Sequence, residues 1–232
     1  MILAELGIEI SAYVKSIGDI EAVPEKMKLE NIERSPLRMP DLEASERAEE
    51  FLADQMKNHD SAGGVIECVI SGVPAGIGDP VFGKLDAALA QAVMSIGAVK
   101  GVEIGSGFAA AKRSGSENND EFGIGEDGKV GKKTNFAGGI LGGISDGSPI
   151  VLRAAFKPTP SIFTEQSTVN QSGEEIKVQI KGRHDPIIVP RAVVVVEAMA
   201  ALTLVDKMFV GMSSRIDRIA RFYDKLNSDE FM

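Results

Sequence analysis

The chain has no tryptophan, one cysteine and two histidines among its 232 residues. Each shortage closes a class of function. A single thiol, Cys68, cannot build an internal disulfide framework, and two histidines beside it leave little for a zinc centre. Aromatic residues make up only 5% of the chain, too few for base-stacking platforms. Positive charge is also short: 25 Lys and Arg face 34 Asp and Glu, a net of −9, so no basic face for nucleic acid is expected. The longest apolar run, residues 192–209, is interrupted by Glu197, Asp206 and Lys207, which excludes a bilayer span. The opening residues MILAELGIEI have neither the basic start nor the cleavage site of a signal peptide. A cytoplasmic protein with no membrane or nucleic-acid partner is the expectation.

What remains is ordinary globular material, 44% apolar and 25% charged. The length suits one large domain or two small ones. No linker divides the chain, so residues 1–232 read as one domain. Because the whole is acidic, any anionic ligand must be met by local clusters of Lys and Arg.

Residues 1–6 look like the end of a helix, and Ile8 to Val14 alternate as a strand. ERSPLRMPD is a proline-punctuated loop, after which Asp41 caps a helix with Leu42, Ala48, Phe51, Leu52 and Met56 on one stripe. GGVIECVISGVP is a strand bounded by glycines and a proline. Leu85, Ala88, Leu89, Ala92, Val93 and Ile96 follow helical spacing, and AVKGVEI reads as a strand. Residues 111–133 turn polar and glycine-rich, too long for a plain connector: a mobile hairpin or lid, or a disordered excursion. IVLRAAFKP is a strand, and STVNQSGEEIKVQIKG a hairpin turning at Ser172-Gly173. Residues 192–212 read as a buried helix, against which the four valines 193–196 speak by propensity. Ile216, Ile219, Ala220, Tyr223 and Leu226 mark an amphipathic helix at the end. The sum is an α/β mixture of antiparallel strands with helices packed on them.

Several stretches carry candidate chemistry. GSGFAA, residues 105–110, fits a dinucleotide-binding pattern after a strand, but KRSGSENND is a poor continuation into the helix the pattern requires. GKVGKKT fails the phosphate-loop pattern, with Glu126 and Lys133 where Gly and Ser or Thr belong. AGGILGGISDG packs five glycines into ten residues, for close backbone approach either to a flat ligand or to a neighbouring strand. Downstream, FKPTPSI offers Lys157 with the hydroxyls of Thr159 and Ser161 at a proline-stiffened turn, the makings of a phosphate cradle. IKGRHDPIIVPRAVVVVEAMAAL sets Lys181, Arg183, His184 and Asp185 directly before an apolar run. That corner is either a polar turn capping a helix or an anion-binding, proton-handling corner of an active site, in which Arg183 supplies a fork for phosphate or carboxylate.

Taken together, DSAGGVIECVISGVPAGIGDPVFGKLDAALAQAVMSIGAVKGVEIGSGF, TNFAGGILGGISDGSPI, KPTPSI and GRHDPIIVPRAVVVVEAMAAL keep the order and spacing of one family: the chain resembles chorismate synthase over nearly its whole length. The resemblance implies a β-α-β sandwich, with helices between antiparallel sheets, assembled as a homotetramer. It implies an anti 1,4-elimination of phosphate from 5-enolpyruvylshikimate 3-phosphate, giving chorismate, with reduced FMN as cofactor and NADPH as a candidate reductant. Carried over residue by residue, Gly97, Ala98 and Gly142 match backbone positions near FMN. Lys157, Pro158, Thr159, Pro160 and Ser161 match the segment holding the cofactor phosphate, Arg183 a cofactor-proximal arginine, and Asp185 the carboxylate that assists proton handling.

The sequence also departs from the family. Gly97 stands where Asn is common, Pro160 where Ser is frequent and Ile187 where Cys is frequent. Family members carry, ahead of the part matched here, proton-donating histidines and substrate-binding arginines; neither His59 nor His184 replaces them. The expectation is therefore an N-terminally truncated domain or one half of a split protein, inactive alone, with a separate N-terminal polypeptide as its partner. The alternatives are a catalytically incompetent FMN-binding or assembly module and, from another class, a nicotinamide oxidoreductase built on GSGFAA.

Overall fold

The computed structural model describes residues 2–227 apart from 126, 127, 129, 181, 183 and 184. The strands are β1 (Glu9–Ile17), β2 (Ile20–Glu21), β3 (Gly64–Ser71) and β4 (Val99–Ile104), then the short β5 (Phe122–Ile124), β6 (Val130–Lys132), β7 (Ile140–Leu141) and β8 (Ile144–Ser145). β9 (Ile150–Phe156), β10 (Gln166–Val169) and β11 (Glu175–Val178) complete them. The α-helices are α1 (Ile2–Glu5), α2 (Leu42–Lys57), α3 (Leu85–Met94), α4 (Gly115–Asn118), α5 (Val189–Met212) and α6 (Ile216–Asn227).

Five strands join in the antiparallel order β2-β1-β3-β9-β4. Cys68 in β3 lies opposite Ala12 in β1 and Leu152 in β9. Period-two alternation decides what each side of this sheet does. Ile66, Cys68, Ile70, Ile150, Leu152 and Ala154 are fully buried, while Glu67 and Arg153 share the other, partly open face. α5 crosses the apolar face over β1 and β3, and α3 packs against both α5 and β4. Burial pushes the Cys68 thiol up to about 12, so it is an inert core residue. The expected mixture of antiparallel strands and helices holds.

The valine run falls inside α5 in spite of its propensity. Val193 and Val196 are fully buried, and each contributes about 1.5 kcal/mol or more, against a few tenths lost to β-branching. Tertiary packing wins. α5 is largely apolar, and Val195, Leu202 and Phe209 remain exposed along it.

The stripe expected on α2 is shifted. Asp41 caps the helix as anticipated, its carboxylate accepting from the Glu43 and Ala44 amides. The buried positions are Ala44, Ser45, Ala48 and Leu52, however, and Met56 is 59% exposed. Small residues let the helix approach closely, and the Ser45 hydroxyl shares a 2.8 Å hydrogen bond with Ser35. A search for large apolar side chains passes over such a face.

The described residues of 111–133 carry defined local structure. A capping box between Ser114 and Glu117 starts α4, and β5 pairs with β6 as a hairpin. Asp120 ties the excursion down by accepting from the Thr134 hydroxyl and from the Phe136 and Ala137 amides. Lys132, almost fully buried, forms an ion pair with Asp146.

Candidate functional site

At the end of β9 the chain passes through Lys157, Pro158, Thr159, Pro160 and Ser161, and three neighbours hold this segment. The Lys157 amide donates to the Ala98 carbonyl at 3.0 Å, which sets Gly97 and Ala98 beside it. The Ser61 hydroxyl donates to the Thr159 carbonyl at 2.7 Å. A side chain at Gly63 would collide with the Phe156 carbonyl, so the backbones run in direct contact there. One residue away, the Ala62 amide donates to the Pro186 carbonyl at 2.8 Å and brings in the corner that carries Asp185. Segments far apart in sequence thus rest on residues 61–63.

Between them lies a cavity of about 110 Å³, lined among others by His59, Asp60, Ser61, Ser161, Phe163 and Asp185. The His59 and Phe163 rings meet edge-on at 5.6 Å. The Asp185 carboxylate forms an ion pair with Arg191 from the first turn of α5. Two residues before Ser161, the Thr159 hydroxyl oxygen is buried and has no hydrogen-bond partner among the described residues. Burying a hydroxyl that way costs free energy unless something else supplies the bond. Lys157 is exposed at the same segment. A hydroxyl seeking a partner and a lysine on one stiff turn suit a small anion. Arg183, His184 and Lys181 lie outside the described residues.

Gly142 is not part of this cluster. It turns the β7–β8 hairpin at a φ of +60°, with open space where a side chain would go. The Leu85 amide bonds the neighbouring Gly143 carbonyl at the start of α3, whereas Gly97 and Ala98 follow the end of α3. The ten residues of α3, about 15 Å of helix, run from the one place to the other. Elsewhere in the glycine tract packing suffices: a side chain at Gly138 would strike the backbone of Gly105.

A second, more open basin of about 470 Å³ lies on the polar face of the sheet, lined by Lys15, Glu103, Ser106, Arg113, Asn135 and Arg153 among others. Its cations are already engaged. Arg153 pairs with Glu67 and Glu103 and donates to the Gly105 carbonyl, and Lys15 pairs with Glu21. Arg113 donates to Ser106 and stacks over the Phe136 ring at 4.0 Å. GSGFAA borders this basin, and Gly107–Lys112 forms a 3₁₀ turn instead of the α-helix that a pyrophosphate-binding motif needs.

Sequence reasoning missed His59, Ser61 and Phe163 as parts of the small cavity. For Ser61 a signal existed, since it sits in DSAGG directly before a strand. For the others the neighbourhood exists only in three dimensions.

A family model described as chorismate synthase matches residues 1–209. The chorismate synthase of Lachnoclostridium phytofermentans is 65% identical over 224 residues, 97% of this chain and 61% of that protein. That of Lachnospira eligens is 59% identical over the same shares of both chains. That of Archaeoglobus fulgidus is 55% identical over 90% of this chain and 59% of its own. A solved structure titled "Crystal Structure of Chorismate Synthase" superposes with a TM-score of 0.74 at 35% identity, covering 97% of this chain and 64% of that one. The chain spans about three-fifths of the length of the curated relatives it matches.

Proposed function

The chain belongs to the chorismate synthase family, and from that premise we propose that it supplies the flavin-phosphate side of an active site for the 1,4-elimination of phosphate from 5-enolpyruvylshikimate 3-phosphate. The observation that carries this reading is the buried, unpartnered Thr159 hydroxyl on the same turn as Lys157 and Ser161. Those residues fit a phosphate: an ammonium, hydroxyls and backbone amides on a stiff turn answer its charge once water is displaced. Reduced FMN, when bound, supplies electron density to the breaking C–O bond and recovers it, with no net redox change.

The chain's own residues have simpler tasks. Lys157, Thr159 and Ser161 hold the phosphate, and Pro158 and Pro160 stiffen the turn that carries them. Ala98, fixed by the Lys157 amide, and Gly97 offer backbone beside it. Asp185, held by Arg191, is the carboxylate that assists proton handling, and Arg183 is assigned to the cofactor by resemblance alone. Gly142 enters the site only on the same resemblance. The exposed apolar residues of α5 support the homotetramer. NADPH as the reductant and a cytoplasmic location rest on the sequence reading alone.

Titration of the 232-residue chain with FMN, alongside Lys157→Ala, tests the proposal. Losing a charge-assisted bond of about 2 kcal/mol should weaken binding roughly thirtyfold. An unchanged affinity, or no FMN binding by the unaltered chain, overturns the reading. The same preparation, given reduced FMN and substrate, should not turn over, because neither His59 nor His184 matches the proton donors that the resemblance implies. Robust turnover would refute that part. Flavin binding without turnover, even in the presence of a supplied N-terminal polypeptide, favours the alternative of an FMN-binding module.

A further inference from the structure

The family resemblance gives Ser61 no task, yet the fold routes two parts of the proposed site through it and its neighbour Ala62. Its hydroxyl reaches across 98 residues of sequence to the Thr159 carbonyl at 2.7 Å. Its own amide is held by the Asp60 carboxylate at 2.8 Å, and the next amide, Ala62, holds the Pro186 carbonyl. Ser61 also lines the small cavity together with Ser161 and Asp185.

The consequence concerns which Thr159 oxygen is satisfied. Ser61 occupies the carbonyl, and the Thr159 hydroxyl stays buried without a partner. A turn free to rotate would relieve that orphaned hydroxyl by pairing it with water or with nearby backbone. The Ser61 bond restrains the peptide and so preserves an unfavourable but ligand-ready arrangement. We infer that Ser61 is a positioning residue for the flavin phosphate, acting through Thr159. The inference rests on the flavin-phosphate reading above.

The test compares FMN with riboflavin, which has the same ring system and no phosphate. Both are titrated against the 232-residue chain, Ser61→Ala, Ser61→Thr and Thr159→Val, well below the melting temperature. Ser61→Ala should weaken FMN about five- to tenfold, the worth of one neutral hydrogen bond, and leave riboflavin unaffected. Ser61→Thr, which keeps a hydroxyl, should restore FMN binding. Equal losses for both ligands, or none, would reduce Ser61 to a structural staple and overturn the inference. Thr159→Val keeps the Ser61 bond and removes only the orphaned hydroxyl, so it decides the matter even if Ser61→Ala does not fold; FMN binding unchanged in it also overturns the inference. If the unaltered chain binds neither flavin, the flavin-phosphate reading itself fails, and this inference with it.

Discussion

Two of the basins on the molecule, one on the polar face of the sheet and one beside the turn after β9, invert the usual guess about where a ligand goes. The larger, about 470 Å³ and rich in charge, has spent its charges on itself: Arg153 is shared between Glu67 and Glu103, and Glu67 also accepts from the buried Tyr13 hydroxyl. The smaller, about 110 Å³, is lined by Ser161, two residues along the turn from a hydroxyl that the described residues leave unpaired. Satisfied polar groups hold a fold together, and an unsatisfied one at a stiff turn is what a ligand can complete. Internal pairing, and not volume or charge count, separates the two.

The sharpest way to break this comparison is Arg153→Met. The side chains of Arg153 and Glu67 are only 25% and 12% exposed. Removing the cation strands two carboxylates on the sheet and should destabilise the fold by about 3 kcal/mol. That corresponds to a fall in melting temperature of roughly 10 °C for a chain of this size. FMN affinity should stay as it was. Lys157→Ala should do the reverse, losing affinity with little change in melting temperature. A basin variant that lost flavin binding while still folded would move the site to the sheet face.

The glycine tract offers a second, smaller contrast. Gly138→Ala forces a side chain against the Gly105 backbone at a φ of +65°, and should cost about 2 kcal/mol or more. Gly142→Ala enters open space and meets only the left-handed backbone penalty, about 1 kcal/mol. Urea unfolding of the two variants measures the difference. A loss of FMN affinity confined to Gly142→Ala would tie that distant turn to the flavin, and unchanged affinity would remove it from the site.

What the sequence made legible follows from what each signal depends on. The Asp41 cap, the glycine- and proline-bounded strand β3 and the spacing in α3 are local, and all three stand as read. Lys157, Thr159 and Asp185 could be named because their chemistry is local too. Invisible was everything that depends on which strands pair. Ser61 meets Thr159 only because β3 lies beside β9, so that Gly64 faces Phe156. The separation of Gly142 from Ala98 likewise follows from α3, about 15 Å long, whose start meets Gly143 and whose end leads to Ala98. The stripe on α2 was misplaced because alanine and serine, not leucine and methionine, make the close approach.

The smallest expected effect tests the satisfied side of the comparison at a single carboxylate. Burial pushes the Asp120 pKa up, but the bonds from Thr134, Ala137 and Phe136, with Lys132 nearby, outweigh it and hold the group below the usual carboxylate range. A carboxyl depressed in the folded state adds stability above its unfolded value of about 4, and that stability is lost as the pH falls through the folded value. Asp120→Asn keeps the shape and one acceptor but never ionises. Its stability deficit in urea should be about 1 kcal/mol at neutral pH and should shrink as the pH falls below about 4. Asp41 and Asp146 are depressed as well, but they remain in both proteins, so the difference isolates Asp120. A deficit that stays constant with pH would mean that the excursion is anchored by acceptor geometry and not by charge, and the self-satisfied region would then owe less to ionised pairs than the Arg153 network suggests.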